Sequence, residues 1–330
     1  MEFESGLVES EKDFVDLERN LVDLRIDLMD FAGLGMNLMD LGMNFLDLKM
    51  CFGDLRMDLE MGFVSLKMDF VDVVFDFDKT IIDLDSDNWV VDEFGASDMF
   101  DQLVPTMPWN TVMDTMMKEI HARGKTMQDI EQVLKRAPVI PWVVPAIKAA
   151  HALGCDLKIV SDANLFFVET ILEHSGIKDC FSEINTNPSY VDDEGKLRIR
   201  PYHDFDHKCN NPCPPNMCKG LVIERMQAAS LAMEGNNNKK RMIYLGDGAG
   251  DFCPSLMLKE QDFVMPRKDF SVWKLMNENL QLIKAKIHGW TDGEELQHIL
   301  LRIIKAITTI EEKQILSAVD HSKFQTIYSH

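Results

Sequence analysis

No run of eighteen uncharged apolar residues occurs in this 330-residue chain, so no membrane-spanning helix is expected. Basic side chains are scarce: 34 Lys and Arg stand against 55 Asp and Glu, a formal net charge of −21. A nucleic-acid partner, which needs a basic footprint, is therefore not expected. The acidic N-terminus has neither the charged and apolar regions of a signal peptide nor the Arg-rich character of a transit peptide. The seven cysteines are odd in number, which points to a reduced, cytoplasmic setting rather than a disulfide framework. What is present, 46% hydrophobic residues, is enough to build one large core or two small ones.

The acid is unevenly spread. Residues 1–72 hold 17 acidic and 6 basic side chains, −11 of the total. Residues 14–72 repeat with a period of seven (FVDLERN, LVDLRID, LMDLGMN, FLDLKMC, FGDLRMD, LEMGFVS, LKMDFVD), broken once by LMDFAGLGMN. The period suits a coiled coil, but Asp, Asn and five glycines weaken helix there. The alternation Leu55, Met57, Leu59, Met61, Phe63 suits a strand. Residues 1–70 are thus a heptad-like, low-complexity extension, with self-association as its candidate role.

From residue 71 the pattern becomes that of an α/β protein. Val71–Phe75 predicts a buried strand. Val112, Met113, Met116, Met117 and Ile120 predict a helix stopped by Gly124, and Thr126 with Asp129 a capping box opening a helix through Leu134. Pro138, Pro141 and Pro145 mark a linker. Ala146–Leu153 predicts a helix, CDLKIV a strand, LFFVETILEHSG a helix, 218–234 a helix and RMIYLG a strand. Such alternation implies a parallel sheet with helices on both faces and ligands at the carboxyl ends of its strands.

Five aspartates follow the first strand: Asp76, Asp78, Asp83, Asp85 and Asp87. They do not form an EF-hand. With Asp83 at position 1, Asn88 stands where Gly is needed and Phe94 where a bidentate Glu is needed. Asp76 and Asp78, two apart at a strand end, can instead share a cation and a phosphate. One can attack phosphorus and the other move the proton. Matching parts follow at later strand and helix ends. Ser161 in LKIVSDAN offers a hydroxyl, Lys219 in MCKG a cation, and Asp247 and Asp251 in YLGDGAGD carboxylates for a metal.

In this order, DxDxT, Ser, Lys and GDGxxD resemble the haloacid dehalogenase (HAD) superfamily of phosphohydrolases. DFDKTIIDLDSDNWVVDEFG, MPWN, CPPNMCKG, YLGDGAGDFCPSL and MPRK resemble its phosphoethanolamine/phosphocholine phosphatase branch, above all plant proteins named thiamine phosphate phosphatase-like or inorganic pyrophosphatase. The resemblance spans about residues 69–312. It implies a Rossmann-like core of residues 71–83 and 151–312, an inserted helical cap at 84–150 and a tail at 313–330. It further implies Asp76 as nucleophile and Asp78 as general acid/base, Thr80 and Ser161 as phosphate holders, and Lys219 as neutralising cation. Magnesium would lie on Asp76, Asp78 (through its backbone carbonyl), Asp247 and Asp251, the last either as ligand or as orienter of Lys219 or of metal-bound water.

The implied activity is Mg²⁺-dependent hydrolysis of a small phosphorylated metabolite. Thiamine monophosphate, phosphocholine and phosphoethanolamine are the leading substrates and pyrophosphate the alternative. A catalytically silent phosphate-binding protein is the rival of another class. Asp83, Asp85 and Asp87, where the chain leaves for the cap, are candidates to face a cationic head group, with Trp89 or Trp109 adding an aromatic face. Pyrophosphate would call on Lys79, Lys118 and Arg123. Cys209, Cys213 and Cys218, with His203 and His207 nearby, permit zinc, although the spacing C-x3-C-x4-C is not a paired C-x2-C pattern. Cys155, Cys180 and Cys253 are expected to be packing residues.

Overall fold

A computed structural model describes residues 71–234 and 240–309. The heptad-like extension with its candidate self-association, and the tail 313–330, lie outside the described residues.

Strand β1 is Val71–Phe75, fully buried along its length. A strand covered on both faces is mostly apolar, and the one charged side chain of β1, Asp72, is buried against Lys158 (2.8 Å). It pairs in parallel with β2 (Asp156–Asn164) on one side and β6 (Arg241–Gly246) on the other, with Phe75 opposite both Ile159 and Leu245. β3 (Phe181–Asn187), β7 (Phe263–Pro266) and β8 (Lys286–Ile287) complete a parallel sheet of order β3-β2-β1-β6-β7-β8. The chain departs in opposite directions on either side of β1, so the sheet's crevice opens at the carboxyl ends of β1, β2 and β6. β4 (Ser189–Val191) and β5 (Leu197–Ile199) form a separate antiparallel ribbon.

Period-two alternation divides the core. Val73 and Phe75 face one apolar layer, shared with helices α5 (Val143–Ala152), α6 (Leu165–His174) and 293–309. Val74 and Tyr244 face the other, shared with α7 (Lys219–Glu234), α8 (Phe252–Met257) and α9 (Ser271–Glu278). The expectation of helices on both faces of a parallel sheet is met. Among the described residues, no helix is long and apolar enough to cross a membrane.

Between β1 and α5 the chain builds α1 (Ser86–Glu93), α2 (Ser97–Leu103), α3 (Trp109–Ala122) and α4 (Met127–Leu134). The expected stripe of α3 is buried. Gly124 takes φ +84° after it, and Thr126 and Asp129 form the capping box of α4. The Trp89 indole donates to the Val133 carbonyl (3.0 Å), tying α1 to α4. The outgoing and returning segments pair: the Asp83 amide donates to Pro138 O (2.9 Å) and the Ile140 amide to Ile81 O (3.0 Å). The expected cap limits, 84–150, span these four helices together with most of α5, which packs against β2. Pro145 lies in the first turn of α5 rather than in a linker. Proline is tolerated there because its missing N–H would have no intrahelical partner.

Candidate active site

The polar centre of the molecule lies at the carboxyl end of β1. Asp76 directly follows that strand, and its amide still reaches Leu245 O (2.9 Å). Its parity matches Val74, so its side chain turns to the α7 face. There Lys219, the first residue of α7 and almost fully buried, places Nζ 2.9 Å from Asp76 Oδ2 and 2.8 Å from Asp251 Oδ1. The Asp76 Oδ1 accepts from the Phe77 amide (2.7 Å).

Asp251 is held from every side. Its Oδ1 also accepts from the Tyr244 hydroxyl (2.6 Å), and its Oδ2 accepts from the amides of Asp247 (3.0 Å) and Gly248 (2.8 Å). With Lys219, four donors occupy its roughly four lone-pair directions. These contacts hold the Asp251 carboxylate against Lys219, the geometry that an orienter of that lysine needs. Gly246 permits the arrangement, because a Cβ there would sit 2.4 Å from the Asp251 carboxyl carbon.

Three carboxylates, Asp76, Asp247 and Asp251, converge here with ligand atoms within 4.8 Å of one another. Among the described residues, Lys219 is the cation in direct contact with Asp76 and Asp251. Burial, then Asp251, push the Asp76 carboxyl well above its ordinary range, against the pull of Lys219. Burial and Asp251 likewise push Asp247 up to about 7. Crowded, buried oxygen donors of one charge are the donor set of a hard divalent cation. Asp76 and Asp247 retain lone pairs for it.

Asp78 does not continue the strand's alternation, because β1 has ended. The amides of Thr80, Ile81 and Ile82 turn back to Phe77 O, and Asp78 Oδ2 accepts from the Ser86 hydroxyl at the start of α1 (3.1 Å). Its Oδ1 is buried without a partner. Burial, then Asp85, Asp87 and Asp76, raise its pKa well above the usual value. A carboxyl whose charged form is disfavoured by its surroundings is equipped to give a proton. Thr80 is fully buried with its hydroxyl unpartnered. Ser161, also fully buried, accepts from the Ala163 amide (3.3 Å). It lies inside β2 rather than at its end: the Asn187 side chain donates to the carbonyls of Asp162 (2.6 Å) and Ala163 (2.8 Å), carrying the strand on to Asn164.

Residues 71–304 match the family model described as Putative Phosphatase. The chain belongs to this family of HAD-like phosphatases. It is 62% identical over 249 residues to "Inorganic pyrophosphatase 1" of Arabidopsis thaliana, covering 74% of this chain and 83% of that protein. It is 51% identical over 231 residues to the "Thiamine phosphate phosphatase-like protein" of the same plant, covering 69% and 93%. It is 30% identical over 202 residues to human "Pyridoxal phosphate phosphatase PHOSPHO2", covering 60% and 82%. The chain is therefore a phosphatase, and its family match begins at β1.

In this phosphatase the three further aspartates separate. Asp83 is exposed, and its carboxylate pairs with Arg267 (2.8 Å). Asp85 caps α1 by accepting from the Asn88 amide (3.0 Å). Asp87 is buried; its Oδ2 accepts from the Trp109 indole (2.7 Å), while its Oδ1 is unpartnered. Burial and Asp85 push it up to about 8. Of the cations named for pyrophosphate, Lys118 is paired with Asp114, and Arg123 with Glu119 and the Gly95 carbonyl. The charge of Lys79 acts on Asp85 and Asp247.

Two residues escaped the sequence reading. Asp162, beside Ser161, comes within 4.0 Å of Lys219; its place next to the hydroxyl of Ser161 was the available signal. Arg267, in MPRK, donates to the Lys79 carbonyl (2.7 Å) and to Asp83, with its guanidinium over Phe270 and Trp290. It clamps the turn in which Lys79 takes φ +54°, one residue from Asp78. Arg267→Ala is expected to lower kcat by about 10- to 100-fold through misplacement of Asp78, with far-UV circular dichroism unchanged.

Proposed function

We propose that this phosphatase hydrolyses a small phosphate monoester with a cationic head group, using Mg²⁺ and an aspartyl-phosphate at Asp76. The covalent step is carried by one observation: Asp76 is clamped by Lys219 while Asp78 stands two residues on with a free oxygen. A carboxylate oxygen of Asp76 attacks phosphorus, and the bond to the leaving oxygen breaks as Asp78 gives that oxygen its proton. Asp78 then takes a proton from the water that cleaves the acyl phosphate, restoring both carboxyl groups. Lys219 offsets charge on the transferring group, and Thr80 and Ser161 offer it hydroxyls. Asp76, Asp247 and the Asp78 backbone carbonyl are the groups to hold Mg²⁺, which when bound supplies positive charge to phosphoryl oxygens.

The preference for a cationic head group rests on the charge around Asp78. Asp85 and Asp87 both bear on it, and Asp162 bears on Asp87, whereas two of the three candidate pyrophosphate cations are already paired. Pyrophosphate is the second reading, favoured by the name of the 62% identical relative. Initial rates on thiamine monophosphate, phosphocholine, phosphoethanolamine, pyridoxal phosphate and pyrophosphate decide between them. A cationic ester with the highest kcat/KM supports the first reading; turnover of pyrophosphate alone overturns it.

Asp87 gives the preference a pH signature. Its carboxyl, pushed up to about 8, gains charge only as pH rises through that value, and a cation binds the charged form. KM for a cationic ester should therefore fall between about pH 6.5 and 8.5. Asp87→Asn should raise KM at the upper pH by about tenfold, the effect of about 1.4 kcal/mol, and abolish that fall. An unchanged KM would remove Asp87 from head-group recognition.

A further inference from the structure

Four cysteines that the phosphatase chemistry does not use converge beside the active site. Cys209 and Cys213 lie on the loop preceding α7, Cys218 directly before Lys219, and Cys253 two residues after Asp251. Their sulfurs are separated by 3.6 Å (Cys209–Cys213), 3.7 Å (Cys213–Cys218), 3.8 Å (Cys218–Cys253) and 3.5 Å (Cys253–Cys209). All four lie within 4.8 Å of one another, and none is in a disulfide. A tetrahedron with metal–sulfur bonds of about 2.3 Å has edges of about 3.8 Å. Three sulfurs on one loop and a fourth on another element match that figure.

We infer that Cys209, Cys213, Cys218 and Cys253 form a closed, structural zinc site. Four soft thiolates in a tetrahedron select zinc over the hard cations that suit the carboxylates of Asp76 and Asp247. The expected histidines do not join. His207 Nε2 bonds Pro214 O (3.0 Å), and its Nδ1 accepts from the Cys209 amide (3.2 Å). Cys253, expected only to pack, completes the set in their place. Its neighbours fit a thiolate. The Asn211 side-chain amide points at the sulfurs of Cys253 (3.3 Å) and Cys209 (3.6 Å), the kind of outer hydrogen bond that orients metal ligands. Gly220 makes room, since a Cβ there would fall 2.5 Å from Cys253 Sγ. Cys209 and Cys213 also line a cleft of about 560 Å³, which gives the ion a route in.

The site has a mechanical consequence. It would fasten the residue before Lys219 to a residue two beyond Asp251, and those two side chains share the 2.8 Å ion pair that aims the lysine. Zinc here would hold the catalytic cation in place without touching substrate.

The test is metal analysis of the full-length chain, purified without a metal-binding tag and washed with a mild chelator. About one zinc per chain is expected, falling at least about fivefold in Cys253→Ser and in Cys209→Ser and unchanged in Cys155→Ser. Should the serine variants fail to fold, cobalt loading of the wild type serves instead. Thiolate-to-cobalt charge transfer with tetrahedral d–d bands is expected. Absence of both zinc and cobalt uptake overturns the site, as does a disulfide joining Cys253 to the loop or iron in place of zinc. Stoichiometry is independent of turnover, so the result stands apart from the phosphatase mechanism.

Discussion

Asp76→Asn is expected to lower kcat/KM by about 10⁴-fold or more, on any substrate the enzyme accepts, because the amide cannot form the acyl phosphate. The substitution keeps the shape of the side chain. It also removes a buried carboxylate whose pKa in the fold is raised, mainly by burial and then by Asp251. A carboxyl with a raised folded-state pKa opposes folding as pH rises through its unfolded value and beyond. The variant's thermal midpoint at pH 7.5 without added metal should therefore not fall. Phosphate release and the thermal midpoint, measured together, separate lost chemistry from lost fold. Near-wild-type turnover would remove Asp76 from the reaction.

Asp78→Asn should cost about 10²- to 10⁴-fold, the usual range for a lost general acid/base. The loss should depend on the leaving group. An alkyl phosphate needs the proton and should suffer most. p-Nitrophenyl phosphate, whose phenolate leaves unaided, should suffer least in the first step. The pH profile supplies the sign. Burial, then Asp85, Asp87 and Asp76, raise the Asp78 pKa, so wild-type activity on alkyl esters should decline as pH rises through it. The variant should lack that decline. Equal losses on both substrates would assign Asp78 a positioning role instead.

Features that follow from local chemistry were legible in the sequence. Val71–Phe75 and Arg241–Gly246 were legible to the residue because apolar side chains dominate buried parallel strands, with Asp72 and Arg241 as the charged exceptions. Asp76, Lys219 and Asp247 were legible because each sits at the end of an element whose position the hydrophobic pattern fixes. The rest depends on contacts between residues far apart in sequence. Arg267 acts on Lys79 from 188 positions away, and Cys253 joins Cys209 across 44. No periodicity announces either. The run Asp83, Asp85 and Asp87 shows the converse. Adjacency suggested one shared role, whereas the fold sends one to Arg267, makes one a helix cap and buries the third against Trp109.

In the proposed reaction, phosphate passes through a covalent bond to Asp76. The most direct test is acid quenching of the enzyme during turnover of a ³²P-labelled substrate, followed by peptide mapping. The expected result is label on the peptide containing Asp76, released by hydroxylamine as an acyl phosphate should be, and absent from Asp76→Asn. Steady turnover with no label on that peptide, in a quench fast enough to resolve one catalytic cycle, would contradict it.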